Sequence, residues 1–307
     1  MMDLASVVLP VFLLMAIGYG AARFGLLDRR AGDGLSEFVF TIATPALVLR
    51  TMMGATLPAQ QPWGYWAAYF LGVAVVWAAS MALARWTFGG DYRQSVVAGF
   101  AAGQANTVLV GIPLILKAYG EEGAVPLFLL IAVHLPVTMT SATLLFEGVR
   151  GPRWTYIAQR LLLHPILLAL FAGLALRAFG VAPGGPFKIV LDGLAGAAAP
   201  CALVAMGLAL QHHGMRGDLR QTGLITALKL LAHPAIVYVL AFHVFTMPPV
   251  WAGVAVLFAA MPTGVNAYLF AARYKTGEAL ASSAIALSTG FALATTFFWL
   301  WILGRAG

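Results

Sequence analysis

Charged side chains are scarce in this sequence: 18 Lys or Arg and 11 Asp or Glu stand among 307 residues, where a soluble chain would use about a quarter, or ~75. That shortage excludes an ordinary soluble domain. One cysteine, Cys201, excludes a disulfide framework, and no Cys/His cluster has zinc-ligand spacing, so no metal or other cofactor is expected. The ten-residue alternating segments of a membrane β-barrel are missing as well, and so is a Walker-type Gly-Lys-Ser/Thr loop. What is there is apolar: 61% of the residues are hydrophobic, in runs such as Ala5 to Ala22 and Phe291 to Leu303 that recur along the chain. Because ~20 apolar residues cross a ~30 Å hydrocarbon layer and lipid-facing backbone must pair within itself, the expected fold is an all-α polytopic bundle in a lipid bilayer.

Apolar windows between charged and Gly/Pro-rich breaks predict about ten helices, at 5–24, 33–53, 63–87, 94–117, 122–148, 156–179, 186–211, 219–245, 250–273 and 278–303. The chain starts Met1-Met2-Asp3 and turns apolar without the basic region and cleavage site of a secretory signal, so the first span is expected to be retained. Twelve basic residues fall on one side: Arg23, Arg29, Arg30, Arg85, Arg93, Arg150, Arg153, Arg160, Arg216, Arg220, Arg273 and Lys275. Five fall on the other, and Lys229 stands alone inside the eighth span. Cytoplasmic loops collect Lys and Arg, so both termini are expected on the non-cytoplasmic side. The same rule assigns the formal charge of +7 to topology, and no nucleic acid partner is expected.

The chain matches itself at an offset of 155 residues: Pro10 with Pro165, Gly18 with Gly173, Phe24-Gly25 with Phe179-Gly180, Glu37 with Asp192, and Pro45 with Pro200. Further on, with small gaps, Phe100-Ala101-Ala102 resembles Phe258-Ala259-Ala260. Two units follow, 1–150 and 156–307, each of five spans. An odd number of spans makes the second unit enter the membrane from the opposite face, giving an inverted repeat, which is a transporter architecture.

The fourth span contains Gly103-Gln104-Ala105-Asn106-Thr107 and Gly111-Ile112-Pro113, and the ninth contains Met261-Pro262-Thr263-Gly264-Val265-Asn266. Mid-helix proline removes a donor and clashes one turn back, so both spans are expected to break. Broken helices in corresponding positions point to a transport site, since half-helix N-termini and amides can orient an anion. The competing reading is that Gly and Pro are common in membrane helices and that Asn packs between them. Asn106, Pro113, Pro262 and Asn266 are the first candidates for substrate binding, with Thr107 and Thr263 beside them. Pro45 and Cys201, in the second and seventh spans, are further candidates to line a cavity, together with Thr41 and Thr44.

Ionisable groups at membrane depth are functional candidates. His134, beside Pro136, either binds an anion or carries a proton, or else bonds neighbouring backbone. His164 and His233 precede prolines and read as structural. Lys229 is expected to snorkel or to pair with an acid, and Glu37 and Asp192 to cap helix ends.

In order and spacing these motifs resemble the auxin efflux carrier family: Leu9-Pro10-Val11-Phe12 through Gly18-Tyr19 and Arg23-Phe24-Gly25-Leu26-Leu27-Asp28; Phe38-Val39-Phe40 with Pro45-Ala46-Leu47; Asn106-Thr107 to Gly111-Ile112-Pro113-Leu114; and Met261-Pro262-Thr263 with Asn266-Ala267. The resemblance covers essentially the whole chain. It implies scaffold and transport domains, crossing fourth and ninth helices, and an elevator-like step carrying a small organic anion such as malonate, malate or an auxin-like acid. It further implies a homodimer in a bacterial inner membrane. Carried over residue by residue, it assigns the carboxylate to Asn106, Pro113, Pro262 and Asn266, and more weakly to Pro45, His134 and Cys201. Only Gly148 to Tyr156 separate the halves, in place of the long cytoplasmic loop of the larger plant members.

Two alternatives stand beside this carrier, which is expected to be driven either by the membrane potential alone or by an ion gradient, with a proton or sodium as the coupling ion. One is a sodium-coupled carrier of the bile-acid symporter type, for which Gln104, Thr107, Thr263 and Ser141 are candidate oxygens. The other is an intramembrane enzyme, which would want clustered acids or a His/acid pair; the deep ionisable residues here are spread over different spans.

Overall fold

The computed structural model describes residues 4–56, 63–148 and 163–306. Among these the chain is all helical, with one isolated β-bridge and no strand. The helices are α1 (Leu4–Arg23), α2 (Arg29–Phe38), α3 (Thr44–Gly54), α4 (Trp63–Trp86), α5 (Tyr92–Gly103), α6 (Ile112–Tyr119), α7 (Ala124–Glu147), α8 (Pro165–Ala178), α9 (Gly185–His212), α10 (Leu219–Ala227), α11 (His233–Val239), α12 (Pro249–Ala260), α13 (Asn266–Tyr274) and α14 (Glu278–Ala306). Joined where π turns make them continuous, seven of the described helices are long and apolar enough to cross a membrane. Three shorter apolar helices, Thr107–Tyr119, Pro165–Ala178 and Pro249–Ala260, belong to the fourth, sixth and ninth predicted spans. The predicted start of the sixth span at 156 lies outside the described residues. The chain is a multi-pass membrane protein.

Few acids are available, and three of them start helices. Asp28, Asp91 and Asp218 accept from the backbone N–H groups of Ala31, Gln94 and Gln221 at 2.8–2.9 Å, satisfying donors that a helix start leaves open. Glu37, expected as a cap, is instead exposed within α2 and lines a cavity. Asp192 pairs across the halves with Arg50 at 3.5 Å, as well as with Lys188 on its own helix.

Three prolines sit just beyond a π turn. Thr44, Ile112 and His233 each donate to the carbonyl five residues back, on Val39, Thr107 and Leu228, and each is followed by proline: Pro45, Pro113 and Pro234. The wider turn makes room for a ring that would clash with an α-helical carbonyl, and such bulges occur mostly at functional sites. Thus Pro45 and Pro113 do not end their spans; they widen them.

The two halves interlock through glycines. α1 packs along α9 and α8 along α3. A Cβ on Gly18 would lie 2.2 Å from the Val204 carbonyl oxygen, and one on Gly173 would lie 3.0 Å from that of Leu49. Gly18 and Gly173, like Leu49 and Val204, are 155 residues apart, so the two contacts are counterparts. The helix ends repeat likewise: Gly25 and Gly180 both have φ +70°, and Leu26 and Val181 donate to Ala21 and Leu176, again at the same offset. Small residues let membrane helices approach at backbone contact. Gly207→Val, whose Cβ would meet the Met15 carbonyl oxygen at 2.0 Å, should therefore lower the thermal midpoint in detergent by several degrees, consistent with overpacking of about 1–3 kcal/mol. An unchanged midpoint would show that α1 and α9 are free to part.

Candidate functional site

Both predicted breaks occur, and they meet. α5 stops at Gly103 and α12 at Ala260; the extended residues that follow form an antiparallel bridge between Ala105 and Thr263. Asn106 N–H donates to the Pro262 carbonyl at 2.8 Å, and Gly264 N–H to the Gln104 carbonyl at 3.0 Å. Ala105 and Thr263 stand 158 residues apart, the same offset that relates Phe100-Ala101-Ala102 to Phe258-Ala259-Ala260, so the bridge joins counterpart positions. Beyond it the chain resumes as a π turn, Thr107–Gly111, leading into α6, and as α13.

Backbone groups freed by a break at membrane depth need new partners. Ala105 N–H donates to His134 Nε2 at 3.4 Å, and Thr263 N–H to Ser288 Oγ at 3.0 Å. The Ala101 carbonyl accepts from Thr263 Oγ1 at 3.0 Å, and Gln104 Oε1 from Thr138 Oγ1 at 2.8 Å. Because Nε2 accepts, the His134 proton sits on Nδ1, which faces the Tyr69 hydroxyl at 3.1 Å. His134 is fully buried with both ring nitrogens engaged, bracing the crossing from behind.

Two cavities approach the crossing. A vestibule of about 560 Å³ opens on the side of Arg29 and Arg216 and reaches Phe40, Leu109 and Val265. Its rim carries Asp33, Glu37 and Glu278 against those two arginines. His213, also on this rim, is pushed down to about 4 by burial first and then by the charges of His212 and Arg29, so it is neutral at physiological pH. A second hollow of about 30 Å³, room for roughly one water, also borders Phe40. Thr107, Asn266, Pro136 and His164 line it.

The structure thus separates the sequence candidates. Thr107 and Asn266 face the hollow, and Asn266 opens α13, where N–H groups without helical partners gather. Asn106 lies on the bridge, but its amide turns away to Met206 Sδ at 3.0 Å. Pro262 and Thr263 form the opposing side of the bridge, and Pro113 follows the π turn within α6. Pro45 and Cys201 are half-buried on α3 and α9 and line neither cavity. His164, read as structural from sequence, lines the hollow; Phe40, which borders both cavities, carried no polar signal that sequence reading could use.

A multi-pass helical protein with two interrupted helices crossing at a buried hollow is a membrane transporter by its architecture. The chain belongs to the membrane transport protein family, the auxin efflux carrier family, whose model matches residues 4–153 and 154–300. It is 30% identical over 317 residues to a Rhizobium meliloti protein named "Putative malonate transporter", covering 100% of this chain and 98% of that one. An "Uncharacterized transporter" of Methanothermobacter thermautotrophicus is 26% identical over 313 residues, covering 98% and 99% respectively.

Proposed function

We propose that this protein carries a small carboxylate, malonate or a close relative, across a bacterial inner membrane by alternating access, with the anion held at the crossing by Thr107, Asn266 and the N-terminus of α13. The observation that carries the reading is the polar lining beside the crossing, a hydroxyl, an amide and a helix start at membrane depth; the hollow there has room for about one water, so holding malonate requires it to widen as the crossing moves. The relative's name supplies the probe. Counterpart glycine contacts, matching helix ends and the bridge of equivalent residues support two inverted five-helix units, with the boundary near 150–156. In the orientation set by the basic residues, the vestibule beside Arg29 and Arg216 faces the cytoplasm, so this conformation is the inward-open one. An elevator-type displacement of the crossing against the α1, α3, α8 and α9 scaffold would move the site between faces.

Among the candidate sodium oxygens, Gln104 and Thr263 are taken up by Thr138 and Ala101, which disfavours a sodium cage at this point. Asn266→Ala in proteoliposomes is expected to cut malonate flux by about 10- to 100-fold, the span of a hydrogen bond to a charged group, while the protein elutes and melts as wild type. Asn106→Ala should lower flux less, since its amide faces Met206. Wild-type flux in Asn266→Ala would remove the hollow as the binding site.

A further inference from the structure

Lys229 lies in the π turn Leu228–Ala232 with no exposed surface. It neither snorkels nor finds an acid. Of the ten described Asp and Glu residues nine are exposed; the tenth, Asp192, is half-buried and held by Arg50 and Lys188. Lys229 Nζ instead donates to the Ala259 carbonyl at 2.6 Å, in the last turn of α12, and lies 3.2 Å from His233 Nδ1 one turn along its own helix. A buried ammonium without a counter-charge is expensive, whereas the neutral amine and imidazole side by side are tolerated.

The groups that face this pair are few. α4 brings Tyr69, whose ring packs against His233 at 5.2 Å between centroids and against His134 of α7 at 5.5 Å. His134 cannot take a proton while its Nε2 accepts from Ala105 N–H. The charged groups on the neighbouring helices, Arg85, Arg93, Arg220, Glu278 and Arg305, stand at helix ends. Lys229 and His233 therefore form the one proton-binding pair at this depth among the described residues. The pair holds Ala259, at the end of the helix that leads into one arm of the crossing, and is linked to Ala105 in the other arm indirectly, through Tyr69 and His134.

We infer that Lys229 and His233 hold a proton that travels with the anion, which makes the carrier a proton–carboxylate symporter. The inference rests on the carboxylate reading above. With the crossing empty, the pair is a neutral amine beside a neutral imidazole. When the anion arrives from one side, a proton from that same side binds between Nζ and Nδ1 and supplies the positive charge that the acids do not. When the anion leaves, the proton leaves with it to the other side. Each ligand stabilises the other to the same extent, as linkage requires.

The test uses proteoliposomes of the full chain with a pH-sensitive dye inside, malonate as the probe, the membrane potential clamped, and protein-free liposomes as background. Malonate entry into wild-type vesicles should acidify the interior. A pH difference of one unit, acid outside, should accumulate malonate about tenfold, the equilibrium value for one proton per anion. Lys229→Met and His233→Gln, checked by elution and thermal midpoint, should lose that pH-driven accumulation. Malonate entry without acidification in the wild type would overturn the proton step and leave the carrier standing. Variants that accumulate malonate like wild type would remove the pair from it. No malonate flux at all would overturn the carboxylate reading, and the proton step with it.

Discussion

Gly264→Ala should abolish transport. A methyl group at this position would lie 2.7 Å from the Ala105 carbonyl oxygen, 3.0 Å from its carbon and 3.2 Å from Asn106 N, all main-chain atoms that cannot rotate away. The clash falls on the bridge itself, where Gly264 N–H must reach the Gln104 carbonyl. To accept the methyl group, the two extended segments must separate, which breaks the paired hydrogen bonds and leaves buried backbone groups without partners at about 1–3 kcal/mol each. A loss of at least a hundredfold in malonate flux, with a lower thermal midpoint, is expected. Normal flux in Gly264→Ala would mean that the crossing tolerates a looser geometry than its contacts indicate.

The second large effect concerns His134. His134→Leu removes the acceptor for Ala105 N–H and the partner of the Tyr69 hydroxyl while keeping an apolar side chain of similar bulk. Two buried polar groups are orphaned, for a destabilisation of roughly 2–6 kcal/mol. His134→Gln, which can still offer an acceptor, should recover much of the stability, read as the thermal midpoint of purified protein in detergent. The contrast separates backbone bracing from anion binding. If His134→Leu melts as wild type but fails to bind malonate, the imidazole acts on substrate after all.

The helical content and the positions of both breaks were legible because each follows from local chemistry. Apolar length sets the spans, and Pro262 and the Gly103–Thr107 segment cannot continue a lipid-embedded helix without losing backbone bonds. Two glycines matched at the 155-residue offset, Gly18 and Gly173, are both held at backbone contact, where no larger residue fits. Side-chain direction at the crossing was not. An extended segment has no helical periodicity, so nothing in the order Asn106-Thr107 says that the threonine faces the hollow while the amide turns to Met206. The π turns were hidden for a related reason: proline announces a disturbance, but whether the helix breaks, as near Pro262, or widens, as before Pro45 and Pro113, depends on the neighbours that re-pair the backbone. Lys229 was misjudged because its only alternatives in sequence were water or an acid. A carbonyl at the end of α12 becomes a partner only once the fold brings it there.

Substrate protection of a thiol at the crossing tests the central claim most directly. In a Cys201→Ser background, Val265→Cys places a reactive group on the vestibule wall next to Asn266. A membrane-impermeant maleimide applied from the Arg29/Arg216 side should label it, and saturating malonate should slow that labelling about tenfold or more, as expected when a bound ligand covers the position. Labelling at the same rate with and without malonate, under conditions where malonate is carried, would place the anion elsewhere in the protein.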